Sequence, residues 1–225
     1  MTERLHVIDH PAVADRLARI RDKTTPTPIF RRLIEEVGAF LAYEATRGLA
    51  TREDRITTPV GPAIVRRLGT RPVVAPILRA GLGLLPGFLS VVDDAVVAHL
   101  GFFRDPETLA AVPYYANLPD DLSGVPVFAL DPMLATGHSG AAALDVLAAR
   151  GATEPRLLCA IAAPVGLSHL LDRHPGVRIV TCAVDERLNE HGYIVPGLGD
   201  AGDRMFGSAT SLPAAYRERR AGGPA

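Results

Sequence analysis

Residues 127–147, VFALDPMLATGHSGAAALDVL, change character twice in one line. Val127 to Leu130 form an uninterrupted apolar run, which suits a strand covered on both faces. Ala135 to Gly140 then supply small side chains for a turn, and the residues from Ser139 onward predict a helix that stops at Gly151. Strand, short turn and helix in that order make half of a parallel crossover unit. Working outward, PVVAPIL (72–78), DAVVAHLGFF (94–103), PRLLCAIAA (155–163) and GVRIVTCAV (176–184) repeat the apolar run. LGLLPGFLSVV (82–92) and PVGLSHLLDRH (164–174) read as helices between them. With right-handed crossovers this pattern predicts an α/β fold built on a doubly wound, mostly parallel sheet. Ligands in such sheets sit beyond the carboxyl ends of the strands.

Toward the N-terminus, PAVADRLARIRDK places Val13, Leu17 and Ile20 on one helical face behind Pro11. The next stretch predicts the longest amphipathic helix, with Thr27 as N-cap, Pro28 in the first turn, and Phe30, Leu33, Ile34, Val37, Leu41 and Ala45 on one face. The two helices form an N-terminal helical part. Residues 51–71 read as an irregular arm or hairpin. Two long segments, 104–124 and 185–207, leave the carboxyl ends of strands and read as a lid or binding loops.

Lysine plus arginine number 24 against 25 acidic residues, for a formal charge of -1. No global basic field is present to draw in nucleic acid or an anionic membrane, so neither is expected as a partner. Lys23 is the only lysine, which leaves arginine to meet any phosphate. Cys159 and Cys182 stand apart in apolar runs and read as core thiols rather than zinc ligands or a disulfide. No apolar stretch is long enough to cross a bilayer, and the first residues lack the apolar centre of a signal peptide, so a cytoplasmic location is expected.

Asp131 is the first polar residue after the strand VFAL, where its position suits contact with hydroxyls such as a ribose diol. The turn that follows leaves backbone N–H groups uncovered at the start of a helix, a natural seat for a phosphate dianion, and Thr136 and Ser139 add hydroxyl donors. Neither GxxxxGK[ST] nor GxGxxG occurs at this turn, so it is neither the NTPase P-loop nor the dinucleotide fingerprint. An acid ahead of a phosphate cradle points to a sugar phosphate.

These residues resemble the 5-phosphoribosyl-1-diphosphate (PRPP) loop of the type I phosphoribosyltransferase family, and DPMLATG is similar to that of its uracil-specific branch. PILRAGLG (76–83) and DERLNEHGYIVPGLGDAGDRMFG (185–207) agree, and the resemblance extends to about residue 207. It implies a single domain over 1–207 with a hood at 185–207, a flexible lid at about 104–124, and a tail at 208–225. The implied activity joins uracil to PRPP, giving UMP and diphosphate. The implied PRPP contacts are Arg79, Arg104, Asp131, Pro132, Met133, Leu134, Ala135, Thr136, Gly137, His138, Ser139 and Asp200. Of these, Arg79, Asp131 and Asp200 carry the catalytic roles, and Ile194, Gly199, Asp200 and Ala201 read uracil. Magnesium is expected on the diphosphate with no direct protein ligands, since Pro132 follows Asp131 where many relatives carry a second acid. The resemblance also suggests a homo-oligomer, dimeric or dimer-based, and GTP as an effector.

Gly81 and Gly83 permit unusual backbone angles in the turn beside Arg79. His138 stands where the family usually has Gly, so backbone strain is expected there. Glu186, Arg187 and Asp203 are expected to form ion pairs that hold the hood, and His191 reads as structural. The alternative to an enzyme is a non-catalytic PRPP- or UMP-sensing or RNA-binding regulator on the same scaffold.

Overall fold

The computed structural model describes residues 4–104 and 111–207, and the tail at 208–225 lies outside the described residues. In chain order the elements are β1 (Leu5–Val7), α1 (Pro11–Arg21), α2 (Thr27–Ala45), β2 (Thr51–Thr57), β3 (Pro62–Leu68), β4 (Val73–Leu78), α3 (Leu85–Val91), β5 (Val96–Val97), β6 (His99–Arg104) and β7 (Ala111–Asn117). The second half adds β8 (Val127–Leu130), β9 (Met133–Leu134), α4 (His138–Ala148), β10 (Arg156–Ala162), α5 (Pro164–Arg173), β11 (Arg178–Val184), β12 (Arg187–Leu188), β13 (Ile194–Val195) and α6 (Ala201–Phe206).

The main sheet runs in the order β1-β11-β10-β8-β4-β6-β7. Its pairings are parallel except for β6 with β7, which is antiparallel. The alternating exposure of strand side chains splits the core into two layers. Val74, Phe128, Leu130, Leu158, Val180 and Cys182 pack with α1, α2 and Phe88 of α3. Val73, Ala75, Val127, Ala129, Cys159 and Ile179 pack on the opposite face with α4 and α5. This is the doubly wound arrangement that the apolar runs predict.

Helix α2 buries Phe30, Leu33, Ile34, Val37 and Leu41 completely, as its stripe predicts. Burial of such a side chain contributes about 1.5–3 kcal/mol relative to leaving it exposed. Its N-cap is Pro26 rather than Thr27, and no side chain caps it. Proline in the first turn needs no such cap for its own missing N–H, so the helix starts one residue early. The arm is a regular antiparallel hairpin in which Thr51 pairs with Leu68 and Thr57 with Pro62.

The segment 104–124 is less loop-like than its sequence suggests. Ala111–Asn117 is a strand on β6, with a register irregularity between Gly101 and Phe102 that lets AVPYYAN pair despite Pro113. Residues 105–110 of the expected lid lie outside the described residues.

Candidate active site

The chain builds β6 on one side of β4 and then returns to place β8 on the other. The crossover after β4 runs through α3 on one face, and the crossover after β8 runs through α4 on the opposite face. Strand order therefore reverses between β4 and β8, and the crevice beyond their carboxyl ends is where such a sheet binds ligands. Pro76 is paired with Leu130, so Arg79 and Asp131 emerge side by side at this switch point.

Two backbone details fix the pair of loops. Gly81 does not use the left-handed angle that glycine permits, and its role is close approach. A Cβ there would lie 2.3 Å from the Leu130 carbonyl oxygen, so only glycine lets the Arg79 turn rest on the end of β8. In the other loop the left-handed residue is Gly137, with φ of 85°, which caps α4. His138 is the first helical residue, so the strain expected at its position falls on the glycine before it.

A pocket of about 330 Å³ opens at this point, lined by the loop from Met133 to Gly140, by Asp131, and by His191, Gly192 and Asp200 of the 185–207 segment. The first turn of α4 aims its N–H groups toward the loop, as an anion seat requires. Asp131 is half-buried in the wall, and burial pushes its carboxyl up to about 7, partly offset by a hydrogen bond from the Met133 N–H at 3.3 Å. The free group is therefore poised between protonated and ionised near neutral pH, where the sequence alone suggests an ordinary carboxylate.

Of the expected contacts, Asp131, Met133 to Ser139 and Asp200 converge on this pocket. Pro132 turns away, its carbonyl accepting from the N–H groups of Ala160 and Ile161 at 3.0 and 3.2 Å. Arg79 sits beside the pocket with its guanidinium 3.2 Å from Asp203. Asp200 caps α6 by accepting from the Asp203 N–H at 2.8 Å, so Asp203 links the cap to the arginine. A Cβ on Gly202 would lie 3.3 Å from Asp200 Oδ1 and 3.9 Å from Arg79 Nη2, which places both side chains close to this one glycine. Ile194 and Ala201 are buried, at 4% and 2% exposure, and Gly199 takes φ of 78° between them. Arg104 ends β6 three residues beyond Gly101, the partner of Leu78, and its side chain is outside the described residues.

Of the ion pairs expected to hold the hood, that of Asp203 joins it to Arg79 on another element, while the rest differ. Glu186 and Arg187 pair with each other at the surface. The anchor is Asp185, 5% exposed, which receives both Arg21 nitrogens at 2.6 and 2.7 Å and the Gly197 N–H at 2.9 Å. Arg204 adds bonds to the carbonyls of Ile20, Leu198 and Asp22 and lies 4.1 Å over the Phe30 ring. Helix α1 thus carries the base of the segment whose tip, His191 and Gly192, lines the same pocket as the loop from Met133 to Gly140. His191 lines the pocket although its sequence context suggests only a structural role, because its place in the wall depends on how 185–207 folds back.

A reversing parallel sheet with an acid-led, amide-rich turn at its switch point and an overhanging segment defines the phosphoribosyltransferase class of α/β proteins. A family model described as uracil phosphoribosyltransferase matches residues 7–208. The uracil phosphoribosyltransferase of Halalkalibacterium halodurans is 50% identical over 206 residues, covering 91% of this chain and 99% of the relative. That of Streptomyces avermitilis is 53% identical over 209 residues, covering 92% and 99%. The solved structure of the AQ2163 protein from Aquifex aeolicus superposes with a TM-score of 0.86 at 39% identity, over 90% of this chain and 98% of that one. The chain belongs to the uracil phosphoribosyltransferase family.

Proposed function

We propose that the protein transfers the phosphoribosyl group of PRPP to N1 of uracil, releasing diphosphate and giving UMP. The observation that carries this reading is the convergence of Asp131, the amide-rich turn before α4 and Asp200 on one pocket at the sheet's switch point. The 5-phosphate lies on the 135–139 turn, and Asp131 holds the ribose hydroxyls. Its carboxylate, once ionised by that contact, also favours the positive charge that develops on the sugar as the diphosphate departs. Arg79 and Arg104 take the diphosphate oxygens, since planar guanidinium groups suit bidentate phosphate contact.

Uracil is read by main-chain groups of Ile194 and of residues 199–201. A backbone pocket rejects cytosine because its exchanged donors and acceptors leave buried groups unpaired, at about 1–3 kcal/mol each. Holding both substrates in line replaces the need for a side-chain nucleophile. Magnesium arrives with the diphosphate as part of the substrate. Such an ion is held by phosphate oxygens and water rather than by an all-protein cage.

The finer proposals, a dimer-based assembly, GTP as effector and a cytoplasmic location, rest on the family resemblance. Among the described residues no helix is long and apolar enough to cross a membrane. The test of the function mixes the protein, magnesium and PRPP with uracil, cytosine, orotate or hypoxanthine in turn and measures diphosphate release. Release with uracil alone is expected. Preference for another base would overturn the base assignment, and no release with any base would favour a sensing role.

A further inference from the structure

The turn before α4 carries a histidine whose ring has a defined partner. His138 Nδ1 lies 2.9 Å from the Thr136 hydroxyl oxygen, and both residues line the pocket. That one contact has two forms with opposite consequences for an anion. When Nδ1 carries no hydrogen, the Thr136 hydroxyl donates to the ring and offers the pocket only lone pairs. When Nδ1 carries a hydrogen, the hydroxyl accepts from the ring, and its own hydrogen is released to donate into the pocket.

We infer that His138 is a positioning residue for the 5-phosphate, turning the Thr136 hydroxyl into a phosphate donor and taking up a proton from solvent as the dianion binds. This rests on the phosphoribosyl reading of the pocket. A ring protonated at Nδ1 alone leaves Nε2 as a bare acceptor, whereas the doubly protonated ring has donors on both sides and a charge opposite to the ligand's. The dianion therefore favours the second form, and an imidazole is the side chain whose ordinary titration lies close enough to neutrality to follow.

The His169 ring on α5 stands 5.1 Å from that of His138, so a second positive charge would be opposed there. The other titratable groups facing the pocket are Asp131 at the end of β8 and Asp200 and His191 of the overhanging segment, with Glu190 at 3.4 Å from His191. Asp131 acts in the opposite sense, because a carboxyl near 7 releases protons when ribose hydroxyls favour its ionised form. The informative quantity is thus the difference between wild type and variants at position 138 rather than the total count.

Titration calorimetry of UMP binding at pH 7.5, in two buffers of different ionisation enthalpy, reads the protons taken up. It is applied to wild type, to His138→Asn, whose amide donates to Thr136 without titrating, and to His138→Gly, which has neither property. Wild type is expected to take up as much as one proton more per UMP than either variant. The affinity advantage of wild type over His138→Asn should grow toward acid pH by up to about tenfold per pH unit, the limit for one linked proton. His138→Asn should bind UMP more tightly than His138→Gly at pH 8. Equal proton counts in wild type and both variants would overturn the role of His138 while leaving the phosphoribosyl site standing. Failure of wild type itself to bind UMP would overturn the underlying reading and this inference with it.

Discussion

Replacing Asp131 by Asn should stabilise the ligand-free protein, and the gain should depend on pH in a way that only the carboxyl explains. The folded carboxyl titrates at about 7 because burial penalises its charge, against an ordinary value of 3.8. Between those values the folded chain holds a proton that the unfolded chain has lost, so wild-type stability falls as pH rises from about 4 to about 7 and is flat above. Each pH unit well inside that window is worth about 1.4 kcal/mol, and because the folded group is half-ionised at pH 7 the change from pH 5 to pH 7 amounts to about 2 kcal/mol. Asn keeps an oxygen to accept the Met133 N–H and has no charge to desolvate. Urea denaturation of both proteins at pH 5, 6, 7 and 8 is the assay. The stability of Asp131→Asn relative to wild type should climb by about 2 kcal/mol between pH 5 and 7 and level off by pH 8, a midpoint change on the order of 1 M urea. Parallel pH profiles for the two proteins would refute the argument, because the carboxyl would then titrate alike in folded and unfolded chains. The same substitution should abolish most diphosphate release with uracil, so a stability gain and an activity loss are expected together.

Other substitutions test the scaffold of the site. Gly81→Ala drives a Cβ into the Leu130 carbonyl, and melting should show a loss of about 1–3 kcal/mol with a raised KM for PRPP. Arg21→Met strands the Asp185 carboxylate at the base of the hood; a loss toward the low end of about 3–5 kcal/mol is expected in denaturation, since Arg21 keeps 24% exposure, and Arg21→Met with Asp185→Asn should recover part of it. Asp203→Asn removes the partner of Arg79; this exposed pair should contribute less than about 1 kcal/mol to stability, while steady-state kinetics should show a lower KM for PRPP because Arg79 is freed for diphosphate.

The parallel strands and the helices α1 and α2 are legible in the sequence because each is a local pattern: an apolar run or a stripe at helical spacing. The phosphate turn is legible for the same reason, with strand, acid, small residues and helix start contiguous from Val127 to Ala148. What escapes is set by distance along the chain. Arg21 and Asp185 are 164 residues apart, so nothing local marks Asp185 rather than Glu186 as the hood's anchor. The need for glycine at position 81 arises from a carbonyl on a neighbouring strand, and a glycine read alone suggests an unusual angle instead. Strand β7 escapes because it is a half-exposed edge carrying Pro113, with Tyr114 and Tyr115 at 59% and 48% exposure, and so lacks the continuous apolar run of its parallel neighbours. The six-residue α6 is too short to show periodicity, and only its cap, Asp200, is visible as a feature.

The division of the core into two layers has a practical consequence through the cysteines. Cys159 packs in the layer beneath α4 and α5, and Cys182 in the layer beneath α1 and α2, each free and buried. Burial pushes the Cys159 thiol up to about 12 and raises that of Cys182 as well, so neither offers a thiolate to an alkylating reagent while the fold is closed. Each sulfur becomes reactive only when its own side of the sheet opens. Timed alkylation followed by peptide mapping would therefore record, from a single unmutated sample, whether the two halves of the molecule come apart together or one before the other.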